Sequence, residues 1–193
     1  MSKGKLIVIS APSGTGKTTI CKKLLKKNPE WKFSISATTR DLREGEVNGK
    51  DYIYMSNEKF EHAVMFGDFL EWEWVHGNKY GTPIGPIEDA LSVGHTMLLD
   101  VDVKGGLSVM EEFSDETIGI FIEPPGDDLP EQLQILEDRL SKRGNEPPQL
   151  IVKRLKRFPL EIEYKEKFEF HFVNEELNET VKNVEEVIKE NIK

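Results

Sequence analysis

The stretch Ile7-Val8-Ile9-Ser10-Ala11-Pro12-Ser13-Gly14-Thr15-Gly16-Lys17-Thr18-Thr19 decides how the rest of the chain is read. Its apolar start reads as a strand buried on both faces. Small and turn-forming residues follow from Ala11 to Gly16, and then a basic helix pattern over residues 17–27. Strand, glycine loop and helix in that order is the setting a phosphate-binding loop requires. Gly14 and Gly16 permit backbone angles closed to residues with a Cβ, so successive amides can turn inward toward phosphate oxygens. The helix N-terminus adds partial positive charge. On this reading Ala11, Pro12, Ser13, Gly14, Thr15, Gly16, Lys17 and Thr18 wrap the phosphates of a nucleotide. Lys17 brings a mobile cation to the β- and γ-phosphates, and the Thr18 hydroxyl is placed to ligate Mg²⁺. Ala11 stands where the loop pattern has glycine. The bland alternative is an ordinary strand-turn-helix with a solvated lysine.

The 193 residues suffice for one domain with a substantial core, or one core carrying mobile insertions. A net charge of −9 argues against a nucleic-acid binder, so an anionic ligand must be held by local basic clusters. Cys21 is the single cysteine, which excludes an internal disulfide and fits a reducing compartment. Inside the first helix it reads as packing rather than as a catalytic thiol. No signal peptide or membrane span is visible, which leads us to expect a cytoplasmic protein without membrane partners.

Working outward, a short strand is expected at residues 33–36, and Asn48-Gly49 reads as a hairpin turn before a strand at 52–55. Ser56 or Asn57 can cap a helix over 58–66. Residues 69–80 alternate aromatic and polar and turn at Gly77-Asn78. Residues 34–82 therefore read as a small β-rich insertion. Helices are expected at 86–93, 103–113, 129–143, 150–158 (interrupted by Pro159) and 176–192, and buried strands at 96–101, 117–122 and 169–173. Residues 144–148 read as a flexible break. Apolar strands separated by helices mean an α/β protein with a parallel core sheet covered on both faces, the phosphate loop at a strand's carboxyl end.

Arg40 and Arg43 place two guanidiniums three residues apart in the insertion, suited to bidentate phosphate recognition, with Tyr52 and Tyr80 offering phenolic donors. Glu71 lies among apolar residues. Its carboxylate can accept from N1–H and the N2 amine of guanine, whereas adenine N1 is an acceptor and mismatches. Hydroxyls at Ser36 and Thr82 can donate to guanine O6. Asp100 and Asp102 end a strand two residues apart, hence on one face, as a strand-end aspartate near Mg²⁺ does. Arg139, Arg143 and Arg154 flank the 144–148 break, where a closing loop can neutralise charge on transferring phosphate. A solvated loop, a surface strand carboxylate, a plain turn and exposed basic helices are the bland alternatives.

Six successive segments resemble guanylate kinases: Ser13-Gly14-Thr15-Gly16-Lys17, Ser36-Ala37-Thr38-Thr39-Arg40, Gly45-Glu46-Val47-Asn48-Gly49-Lys50-Asp51-Tyr52, Phe69-Leu70-Glu71-Trp72, Gly77-Asn78-Lys79-Tyr80-Gly81-Thr82 and Leu99-Asp100-Val101-Asp102-Val103-Lys104-Gly105. The resemblance covers nearly the whole chain in order. It implies a P-loop three-layer fold with three parts: a core from residues 1–33, 83–125 and 151–193, a GMP-binding insertion at 34–82, and a lid at 126–150. It implies ATP-dependent phosphorylation of GMP, and of dGMP, to GDP with Mg²⁺, in purine metabolism and GMP recycling. By position Ser36, Glu71, Thr82 and Asp100 would contact the base, and Arg40, Arg43, Tyr52 and Tyr80 the GMP phosphate. Lys17, Arg40, Arg139, Arg143 and Arg154 would act on the transferring phosphoryl group. Asn174 would lie near adenine, Thr18 on Mg²⁺, and Asp102 on it through a water. Asn145, Pro147-Pro148 and Phe158-Pro159 depart from the family pattern, the last in a region that is usually an alanine-rich helix. The two rivals are a scaffold module that resembles the family without catalysis, and a kinase for another nucleoside monophosphate. Monomer and homodimer are both open.

Overall fold

The computed structural model describes residues 4–75, 77–142 and 147–192. In chain order the strands and α-helices are β1 (Lys5–Ser10), α1 (Lys17–Lys27), β2 (Lys32–Ser34), β3 (Ala37–Thr38), β4 (Ile53–Tyr54), α2 (Asn57–Phe66), β5 (Phe69–Val75), β6 (Asn78–Pro83), α3 (Gly85–Ser92), β7 (Thr96–Asp100), α4 (Val103–Glu112), β8 (Thr117–Glu123), α5 (Leu129–Lys142), α6 (Pro148–Leu155), α7 (Phe158–Ile162), β9 (Phe170–Val173) and α8 (Leu177–Asn191).

The five-stranded sheet has the order β2-β7-β1-β8-β9 and is parallel throughout. Its central strand alternates between two cores, as period-two side chains must. Ile7 and Ile9 pack with Ile20 and Leu24 of α1 and with Val181, Val184 and Ile188 of α8. Leu6 and Val8 face Ile87 of α3, Val109 of α4 and Phe168 on the other side. Helices thus cover both faces, and the loop after β1 opens at the carboxyl edge of the sheet.

Between β2 and α3 stands a second sheet, of order β4-β3-β6-β5. β3 runs parallel to β4 and antiparallel to β6, and β5 pairs antiparallel with β6. The principal packing of this sheet on the core is β5 against α4. Ser56 caps α2 by accepting from the Lys59 amide.

Three sequence expectations change. Asn48-Gly49 does form a turn, with Gly49 at φ 78°, but it leads into β4, which pairs parallel with β3, so no hairpin is made. The turn chemistry was legible; the strand's choice of partner was set by tertiary pairing. The helix expected over 150–158 is two: α6 ends at Leu155, and Pro159 sits in the first turn of α7, where its missing N–H costs nothing. Asp100 and Asp102 do not share a strand face, because β7 ends at Asp100 and Asp102 is the N-cap of α4. Arg143 and most of the expected 144–148 break lie outside the described residues.

Candidate active site

The loop between β1 and α1 has the backbone its glycines allow. Gly14 lies at φ 95° and Gly16, the residue capping α1, at φ 100°. Ala11, at the position where the loop pattern has glycine, is buried and belongs to the core cluster that includes Ile9 and Ile20. The Thr15 hydroxyl donates to the Pro12 carbonyl, tying the loop to itself. Asn174, just past β9, braces the loop from outside: its Nδ2 donates to the Thr15 carbonyl at 2.6 Å. Arg139 of α5 donates to the carbonyls of Asn174 (2.9 Å) and Thr15 (3.4 Å). Arg154 of α6 reaches the Ser13 hydroxyl at 3.4 Å. Two of the three expected lid arginines therefore lie on the phosphate loop.

Lys17 turns back across the sheet edge. Its ammonium pairs with Asp100 Oδ1 at 2.8 Å and donates to the Val101 carbonyl. Burial opposes the charge, but the Asp100 carboxylate outweighs it and holds the lysine above its usual pKa. Cys21, one turn further along α1, is buried, and burial keeps its thiol protonated. It is a packing residue.

On the second sheet, Glu71 and Thr82 are cross-strand partners, and the Thr82 hydroxyl donates to Glu71 Oε1 at 2.6 Å. Thr82 is thus engaged with the carboxylate itself. Burial pushes the Glu71 carboxyl up, partly offset by that hydrogen bond. The start of α4 lies against Glu71: a Cβ on Gly105 would fall 3.2 Å from its Oε1.

Arg40 forms a bidentate pair with Glu46, at 2.8 and 3.0 Å. The Tyr54 hydroxyl donates to the same carboxylate at 2.7 Å. The Arg40 guanidinium lies 5.4 Å from the Tyr52 ring centroid and 5.5 Å from that of Tyr54. Tyr52 in turn meets Tyr80 edge-on at 5.8 Å. The hydrogen bond from Arg40 pulls Glu46 down to about 2, while burial and the Glu46 contact raise Tyr54 to about 12. Arg43 is exposed, its backbone amide donating to Glu46, and Ser36 is half-buried just before β3.

At the start of α4, Asp102 Oδ1 accepts from the Gly105 amide at 2.9 Å. Burial works against its charge; the Gly105 amide leads the interactions that hold it below the usual range. Arg157, capping α7, lies near Asp102 Oδ2 (4.0 Å), Glu73 Oε2 (3.5 Å) and Glu161 Oε1 (3.4 Å). Burial raises the Glu161 carboxyl, and among the described residues its Oε2 is buried without a hydrogen-bond partner.

The described residues contain no group of three or more His, Cys, Asp or Glu able to hold a metal ion. Thr18 is exposed in the first turn of α1, and Asp102 keeps one oxygen clear of its capping bond. One hydroxyl and one carboxylate suit a hard cation that arrives on phosphate oxygens.

Sequence reasoning missed Glu46, Tyr54, Glu73, Arg157 and Glu161. Glu46 sat inside a recognisable segment and Tyr54 two residues past its end, and a carboxylate six residues from Arg40 was the signal. Arg157 was hidden by treating residues 150–158 as one exposed helix.

Guanylate kinase is the family whose model matches, over residues 3–191. The chain is 44% identical to a guanylate kinase of Clostridium tetani over 188 residues, 97% of this chain and 86% of the relative. It is 40% identical to one of Carboxydothermus hydrogenoformans, covering 97% and 89% of the two chains. The crystal structure of guanylate kinase from Anaplasma phagocytophilum superposes with a TM-score of 0.78 at 32% identity, covering 98% of this chain and 86% of that one. With a family match over residues 3–191 and relatives 40–44% identical over 97% of its length, the chain belongs to the guanylate kinase family.

Proposed function

We propose that this member of the guanylate kinase family phosphorylates GMP from ATP by direct in-line transfer. ATP would lie with its phosphates in the loop of residues 11–18 and its adenine toward Asn174. GMP would lie on the insertion, residues 34–82. Its base would be read by Glu71 with Ser36, Thr82 and Asp100, and its phosphate held by Arg40, Arg43, Tyr52 and Tyr80. Mg²⁺ would enter on the ATP phosphates, with Thr18 as ligand and Asp102 acting through a water, and would neutralise charge there. Lys17, which rests on Asp100 at 2.8 Å, would swing to the phosphates as they bind. Arg139, Arg143 and Arg154, around a lid at 126–150, would draw the loop closed and exclude water. Catalysis is then positioning and charge neutralisation, with no covalent intermediate.

The observation that carries this reading is the placement of Glu71, a half-buried acceptor bonded to the buried Thr82 and lying beside Gly105 of α4. A coupled ADP-release assay with GMP, AMP, CMP and UMP tests it, run alongside Lys17→Ala. Turnover with GMP far above the others, lost in a folded Lys17→Ala protein, is the expected result. Preference for another nucleotide would overturn the acceptor assignment, and no turnover at all would favour a binding module.

A further inference from the structure

We propose that Arg157 is a positioning residue for GMP: with Lys104 it clasps Glu73, and so holds strand β5 and its Glu71 against the core. The proposal rests on Glu71 as base reader. Glu71 and Glu73 are two residues apart on β5 and so point to the same side of the strand. Glu71 meets Gly105 of α4, and Glu73 meets the charges beside it. Glu73 Oε1 takes Lys104 Nζ at 3.0 Å, and Glu73 Oε2 takes Arg157 Nη2 at 3.5 Å. Arg157 in turn points Nε at Glu161 Oε1, 3.4 Å away, which fixes the guanidinium on its own helix. One planar cation thus joins the second sheet, the start of α4 and the start of α7.

The location gives the clasp its effect. β5 on α4 is the principal junction between the two sheets. A small displacement there moves Glu71 relative to the core while leaving each sheet intact. Without Arg157, the carboxylates of Glu73, Asp102 and Glu161 would face one another with only the lysines to balance them, and like charges would push β5 outward. The guanidinium can serve several oxygens at fixed angles, which an ammonium cannot. Lys104 is 69% exposed and Arg157 36% exposed, so the clasp is a surface ion-pair network, weak and screened by salt. That suits a joint that must open to admit a nucleotide.

The test is steady-state kinetics of wild type, Glu73→Gln, Arg157→Gln, Arg157→Lys and the Glu73→Gln/Arg157→Gln double variant. Glu73→Gln is the cleanest, because it leaves the Arg157–Glu161 pair in place. Each glutamine variant should raise KM for GMP about threefold to fivefold, with kcat and KM for ATP within about twofold. The double variant should be no worse than the worse single one, because both remove the same link. The lysine variant should recover part of the loss, and about 0.5 M salt should bring wild type close to the variants. An unchanged KM for GMP, or effects that multiply in the double variant, overturns the clasp. Glu71→Gln is measured alongside: an unchanged ratio of GMP to AMP use in that variant overturns the base-reader assignment alone.

Discussion

The Thr82 hydroxyl donates a 2.6 Å hydrogen bond to Glu71 Oε1, its neighbour across the β5–β6 ladder. One oxygen of the carboxylate is thereby fixed from the sheet, and the carboxylate is aimed by its strand partner rather than by a loop.

Glu71→Gln should cut kcat/KM for GMP sharply and narrow the GMP/AMP gap. Gln keeps the size but turns one acceptor into a donor, and sites that read polar edges discriminate by as much as ~10⁴-fold. The comparison of kcat/KM for the two nucleotides in both proteins checks it. Burial raises the Glu71 carboxyl, with Asp102 and Glu73 pushing the same way. A carboxyl raised by folding weakens the fold as pH climbs through that window, so at pH 7 the variant should unfold no earlier than wild type. KM for GMP should rise as acid protonates Glu71 in wild type, and stay flat in Glu71→Gln.

Arg40→Ala and Arg43→Ala should raise KM for GMP far more than KM for ATP, since both lie on the second sheet's side of the molecule. A charge-assisted contact of this kind is worth ~1.5–3 kcal/mol, about ten- to hundredfold. Equal effects on both substrates, read from paired titrations, would place the arginines at the donor site instead.

Acid should strip away the Arg40–Glu46 link. Glu46 is lowered to about 2 by the Arg40 hydrogen bond, so its contribution is complete above the ordinary glutamate range and is lost as pH falls toward that value. Glu46→Gln should flatten this part of the stability curve, measured by urea midpoints between pH 5 and 2.5 or so. Identical slopes in the two proteins would show that the pair contributes nothing to the fold.

Gly16→Ala should lower thermal stability and weaken ATP. A Cβ there would lie 2.6 Å from Asn174 Nδ2, on a residue held at φ 100°. The backbone strain alone costs ~1–2 kcal/mol. Adding Asn174→Ala should relieve the clash and recover part of the melting temperature, while ATP affinity stays low. No recovery would mean that the backbone angle is the whole cost.

Much of this was legible in the chain. The β1 run and the glycines after it fixed the phosphate loop, since period and turn chemistry are local. Ser56 at the head of α2 and the strands at 96 and 117 were equally local. What the sequence withheld depends on distant partners. Asp102 reads as strand until the α4 amides that it caps are in view. Pro159 reads as a breaker until a new helix begins around it. Arg157 gains its meaning from Glu73, 84 residues away.

The strand order has a consequence for synthesis. β1 carries the phosphate loop, yet its two neighbours, β7 and β8, begin at Thr96 and Thr117. The second sheet is complete by Pro83. A chain emerging from the ribosome can therefore pair the whole of its second sheet while β1 still waits, apolar and unpartnered. Until β7 and β8 arrive, both edges of β1 stand open, and an unpaired apolar edge is where a nascent chain can pair with a stranger.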